Sequence, residues 1–170
     1  MKRVHGMELK LPEGKLPGFY AQIVKKLAET NALADRDRSL LFVYEEGRDA
    51  VERLLEHYKV PAETGPWLQL GAKEDGWKTG RVWTDYGVET RSGNLFLDLS
   101  LATLISLEPG MDDGAEPAQA GLQLEEHAAA FKPAGNGSCG LYALDRQLDE
   151  LAQGIAKAYR CVVADRDKPQ

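Results

Sequence analysis

The residues best equipped for covalent chemistry are Cys139 and the histidines at 57 and 127. Cys139 stands in Asn136-Gly137-Ser138-Cys139-Gly140, directly ahead of a predicted helix. A thiol at a helix N-terminus meets unpaired backbone N–H groups and the positive end of the helix dipole, which favour the thiolate. With His57 or His127 as base and Asp98 or Glu126 to orient it, such a thiolate would make a cysteine-dependent hydrolase or peptidase. The sequence around both histidines carries no recognisable framing, and the glycines also read as an ordinary loop entering a helix. The non-catalytic reading is therefore taken first, with the Cys139 hydrolase as its alternative.

A second group could bind rather than react. Lys73, Lys78 and Arg81 surround Trp77 on one predicted hairpin, and three converging cations could hold a phosphate. Glu74 and Asp75 lie among them and largely cancel their charge. Each cation near an anionic leaflet contributes only about 1 kcal/mol, so stable membrane association is not expected. No metal is expected: the histidines and the two cysteines lack zinc-ligand spacing. Asp112, Asp113 and Glu116 lack the alternating oxygen ligands of a calcium loop. No phosphate-binding loop or dinucleotide fingerprint occurs, so no cofactor is expected.

Charge narrows the partners further. The 170 residues carry 21 Lys plus Arg against 27 Asp plus Glu, a formal charge of −6. Bulk nucleic-acid binding, which needs a basic face, is disfavoured. Mean hydropathy is −0.40, and neither an apolar span of membrane length nor a secretory core is visible. Two cysteines build no disulfide framework, which suits reduced thiols and a cytoplasmic location.

The elements that must position these groups follow from periodicity. Residues 17–33 read as a helix with Phe19, Ile23 and Leu27 on one face; residues 35–38 read as a solvated connector, and Leu40–Tyr44 as a buried strand. Asp49 and Glu52 suggest a capping box. It opens a second helix with Val51, Leu54, Leu55 and Tyr58 in its stripe, stopped at Pro61. Five short strands follow at 67–72, 80–84, 87–91, 94–99 and 103–108, punctuated by turn residues. Residues 109–120 read as a polar mobile loop and 122–131 as a further strand or strand pair. Leu141, Leu144, Leu148, Leu151, Ile155 and Ala158 recur at spacings of three and four, predicting one long amphipathic helix over 141–160. No internal repeat is visible.

An antiparallel meander closed by one C-terminal helix resembles the bacterial pleckstrin-homology-like domains. The local wording is similar at His57-Tyr58-Lys59-Val60-Pro61, Gly76-Trp77-Lys78-Thr79-Gly80 and Thr84-Asp85-Tyr86-Gly87-Val88. The likeness spans residues 50–108, with the helix at 141–160 as supporting layout. It implies an α+β fold: a pleckstrin-homology-like partly open barrel with two N-terminal helices and one C-terminal amphipathic helix. Residues 1–48 would then be a helical extension, 49–162 the domain and 163–170 a polar tail. Lipid-binding members place headgroup cations at the hairpin that holds Lys73, Lys78 and Arg81 here. Such domains bind lipids, peptides or proteins, so the fold alone does not supply a function. The expected function is a small non-catalytic adaptor for another protein, of inhibitor or immunity type among other options.

Overall fold

The computed structural model describes residues 1–14, 18–111, 113–135 and 139–167. It is an α+β fold of two antiparallel sheets. Along the chain run β1 (Lys2–Leu9), α1 (Gly18–Ala28), β2 (Leu33–Asp37), β3 (Leu40–Val43), α2 (Arg48–His57) and β4 (Ala62–Ala72). Then come β5 (Lys78–Thr79), α3 (Trp83–Tyr86), β6 (Gly87–Glu89) and β7 (Asn94–Asp98). The last third holds β8 (Ala102–Pro109), α4 (Pro117–His127), β9 (Ala130–Lys132), β10 (Gly140–Asp145), α5 (Asp149–Ala158) and β11 (Cys161–Asp165). The first sheet has the order β2-β3-β1-β4-β7-β6 and the second β11-β8-β10-β9-β5.

These orders reveal a duplication. Residues 2–72 and 102–165 are each a β-α-β-β-α-β unit, the split βαβ arrangement. In each unit the sheet order places the first strand between the third and the fourth. The registers match: Met7 opposes Leu41 as Ile105 opposes Tyr142. Leu9 opposes Ala62 as Leu107 opposes Val163. Both second helices end on a tyrosine followed by a basic residue in the left-handed region, Lys59 at φ 55° and Arg160 at φ 54°. Val51 and Leu55 in one unit, Ala152 and Ala156 in the other, face the core from equivalent turns. Residues 73–98 stitch the units together, β6 and β7 extending the first sheet and β5 the second.

Packing follows the strand period of two. In the first unit Met7, Leu9, Leu41 and Val43 meet Ile23, Leu27, Val51 and Leu55 of the helices. In the second, Ile105, Leu107, Tyr142 and Leu144 meet Leu124, Ala152 and Ile155. Between the sheets, Leu68, Leu70, Leu95 and Leu97 join Leu104, Ala130 and Ala143, with Trp77 and Trp83 in the same core. The opposite face of the first sheet buries Val4, Phe42 and Phe96 in its own curl.

Several sequence expectations are corrected. The strands at 67–108 do not form one meander: β4 and β6 flank β7 in the first sheet and β8 lies in the second, while β1, the unforeseen central strand, inserts between β3 and β4. Residues 1–48 are accordingly not an extension but half of the first unit. The expected connector at 35–38 is mostly strand β2. The Asp49–Glu52 capping box does not form: Gly47 is the N-cap, and Glu52 accepts from Arg48 Nε at 2.8 Å. Residues 80–84 are not a strand; Trp83 starts a helical turn and lies over Gly87, where a Cβ would come within 2.3 Å of the ring. Residues 117–127, split between the expected loop and strand, are helix α4, whose Ala120, Gly121 and Leu124 are buried on one face. The helix expected at 141–160 is β10 followed by α5: Leu144 belongs to the strand, and Asp145 turns the chain by accepting Gln147 N–H at 2.8 Å. Residues 163–165 of the expected tail are the end of β11. Among the described residues no helix is long and apolar enough to cross a membrane.

Candidate functional site

The residues expected to react are held apart. Cys139 is half-buried and directly precedes strand β10, so it lacks the helix N-terminus that its activation required; Asn136–Ser138 lie outside the described residues. His127 is exposed at the end of α4, beside the far end of β10, where Ala129 N–H bonds to Ala143 C=O at 2.8 Å. Four residues of strand separate positions 139 and 143, about 14 Å. His57 ends α2 in the other unit, exposed, with its ring edge-on to Tyr58. Asp98 is occupied in a turn, accepting from Ser100 N–H at 2.8 Å and Ser100 Oγ at 2.6 Å. Glu126 is exposed on α4. Burial pushes the Cys161 thiol up, away from reactivity.

The hairpin cations are likewise distributed. Lys73 sits in a 3-10 turn after β4, with Nζ 2.7 Å from Glu89 Oε2. Lys78 on β5 lies 5.8 Å from the Phe131 ring centroid. Arg81 is exposed in the turn before α3, and Trp77 is only 4% exposed, committed to the core between the sheets. No group of three metal-ligating side chains forms among the described residues; Asp112 lies outside them.

A concavity lies where the first sheet closes. Its edge strands β2 and β6 approach one another, and Asp35 spans the gap. Asp35 Oδ2 accepts from Thr90 Oγ1 at 2.6 Å and Asn94 Nδ2 at 2.8 Å, while Ser92 Oγ stands 3.5 Å from Oδ1. Above this clasp is a cleft of about 470 Å³ lined by Arg36, Asp37, Arg38, Arg91 and Ser92 besides Asp35. Arg36 and Arg38 come from the β2–β3 hairpin, and Arg91 and Ser92 from the β6–β7 turn. Tyr20 lies beneath, its hydroxyl donating to Arg38 C=O. Burial pushes the Tyr20 phenol up, opposed by its hydrogen bond with Arg36. Among the described residues, no carboxylate pairs with Arg36, Arg38 or Arg91.

Sequence reasoning missed this cleft. Asp35-Arg36-Asp37-Arg38 read as solvated charge, and nothing local announces that Arg91, more than fifty residues away, faces it. Comparison with protein-family models, curated proteins and solved structures returned no match.

Proposed function

We propose that the protein is a non-catalytic recognition module that docks another protein over the closing gap of its curled sheet. The carrying observation is the cleft itself. It presents three guanidinium groups outside ion pairs, on two tight turns pinned by Asp35, and holds no histidine or cysteine. Guanidinium binds carboxylate through paired N–H donors. The partner is therefore read as presenting acidic side chains to the cleft, although the chain as a whole is acidic. An inhibitor or immunity role belongs to this class. The likeness to pleckstrin-homology-like domains is proposed at the level of a curled antiparallel sheet that leaves a partly open barrel.

A photo-crosslinking amino acid at position 91, compared with one at Gln153 on the exposed side of α5, tests the reading in the native host. Adducts of defined mass at 91, absent at 153 and lost in Arg36→Glu/Arg38→Glu, are expected. The reading fails if both positions give the same adducts, or if charge reversal leaves them unchanged.

A further inference from the structure

A strand at the edge of a sheet presents a row of unpaired N–H and C=O groups that invites another strand, and folds guard such edges. Among the described residues the edge strands are β2 and β6 of the first sheet and β5 and β11 of the second. The first half of β4 is also uncovered, since β7 pairs with it only from Trp67 onward. On β2, Asp35 Oδ1 takes the Arg36 N–H at 2.8 Å, and the Asp35 clasp sets β6 against the same edge. β5 is two residues long. The uncovered part of β4 carries Glu63 and ends on Pro66, which has no N–H and whose C=O accepts from Leu99 N–H at 3.0 Å.

β11 has no such guard. Cys161-Val162-Val163-Ala164 contains neither charge nor proline and holds two adjacent β-branched residues. Arg160 C=O accepts from Gly110 N–H at 2.9 Å, and Arg166 N–H donates to Leu104 C=O at 2.8 Å, so the even-numbered residues of this strand bond to β8. The alternation of an antiparallel ladder then turns the N–H and C=O of Val163 to the open side. Cys161 and Val163 pack with the helices, so Val162 and Ala164 lie on the other face of the strand. Val162 is 55% exposed there.

We propose that β11 pairs antiparallel with β11 of a second copy, about a two-fold axis through Val163, joining the second sheets of two chains into one. The strand fits itself in this register. Val163 meets Val163 and exchanges both backbone bonds with it. Val162 comes opposite Ala164 of the second copy, so each exposed valine gains an apolar cross-strand partner. Cys161 comes opposite Asp165. Lys157, outside any ion pair among the described residues, lies in the last turn of α5, next to the start of β11. It therefore stands on the side of Asp165 of the second copy, with opposite charges at both ends of the pairing. A two-fold pairing consumes both edges and stops at two copies. One short strand pair is a small interface, so monomer and dimer exchange with concentration.

The full chain, labelled with ¹⁵N, is followed by sedimentation velocity and by amide hydrogen exchange from about 1 µM to about 1 mM where each method allows. Growth from one copy to two with rising concentration is expected. The Val163 amide should become protected in step with it, while the Val162 and Ala164 amides, already bonded to β8, stay protected throughout. Val162→Lys puts a charge on this edge at an exposed position and should weaken the dimer at least about tenfold, a difference of about 1.4 kcal/mol. A monomer at every concentration overturns the assignment, as do masses that grow beyond two copies. A Val163 amide that exchanges alike in dilute and concentrated samples, or a dimer that Val162→Lys leaves unchanged, overturns it too. The exchange measurement uses the unmodified chain, so it decides even if the variant folds poorly.

Discussion

Phe42 on β3 and Phe96 on β7 stack with ring centroids 3.8 Å apart and planes 4° from parallel. Two strands, β1 and β4, lie between them in the sheet. In a flat sheet three strand spacings would separate them by about 14 Å. The stack is therefore the measure of how far the sheet curls. Trp67 packs edge-on to Phe42 with centroids 5.2 Å apart. It lies over Gly6, where a Cβ would come within 2.3 Å of the indole, so the curl also needs a missing side chain.

Both phenylalanines are 0% exposed, so truncating either removes buried area and leaves a cavity. Phe42→Ala and Phe96→Ala should each cost about 3–5 kcal/mol in urea unfolding. The double variant should cost less than the sum by about 0.5–1.5 kcal/mol, the share belonging to the ring pair. Strict additivity would mean that the stack is a consequence of the curl and not one of its causes.

Asp35 closes what the stack begins. Asp35→Ala removes the acceptor of Thr90, which is 4% exposed, and of Asn94. A loss of about 1–3 kcal/mol is expected for buried donors left without that partner. The diagnostic is local: hydrogen exchange should quicken in β2 and β6 before the second sheet responds. A uniform rise across both sheets would contradict a clasp.

What was legible in the sequence was whatever local pattern decides. Val51, Leu54 and Leu55 mark α2 because a helix repeats its face every three or four residues, and Leu40–Val43 is strand as its apolar run suggests. The leucines from 141 onward misled because spacings of three and four arose from two elements in succession: Leu144 on a strand, Ile155 on a helix. β1 was unreadable because His5, Gly6 and Glu8 interrupt its apolar residues, and its long-range pairing with β3 and β4 has no local signature. The duplication is carried by register and burial with little identity, Val43 answering to Leu144 and Val51 to Ala152. The arginine cleft is assembled by curl, so no sequence window contains it.

The leucine pattern now sorts into positions of unequal weight. Leu144 is 1% exposed, Ile155 is 8% and Leu151 is 40%. Leu144→Ala and Ile155→Ala should each cost about 2–5 kcal/mol. Leu151→Ala, on the seam of the single helix expected over 141–160, should stay within about ±0.5 kcal/mol. Melting temperatures of the three variants check this, and a severe Leu151→Ala would restore an apolar partner for the outer face of α5.

The two thiols should separate by access. Cys139 is half-buried and Cys161 is 7% exposed, its thiol pushed up first by burial. A thiol reagent at neutral pH should modify Cys139 at no more than the rate of a free thiol, and Cys161 only with unfolding. Labelling of Cys139 much faster than a free thiol, suppressed by His127→Ala or His57→Ala, would revive the hydrolase reading.

Tyr142 sets an alkaline limit. The side chain lies on the central strand of the second unit, 3% exposed, and burial first and then the Glu125 charge push its phenol from 10.0 up to about 12. The folded state therefore favours the protonated form. The stabilisation is complete below the unfolded value near 10 and is lost as pH rises through about 12. A shift of this size corresponds to about 2–3 kcal/mol. Tyr20 and Tyr86 are also raised, by burial and by the hydrogen bond to Asp145 respectively, so they add to the same decline. Tyr142→Phe isolates one share: urea unfolding at pH 9 and pH 11.5 should show a smaller loss of stability in the variant than in the unmodified chain. Equal losses would mean that Tyr142 ionises in the folded state as readily as in the unfolded chain, and that its burial does not hold the proton.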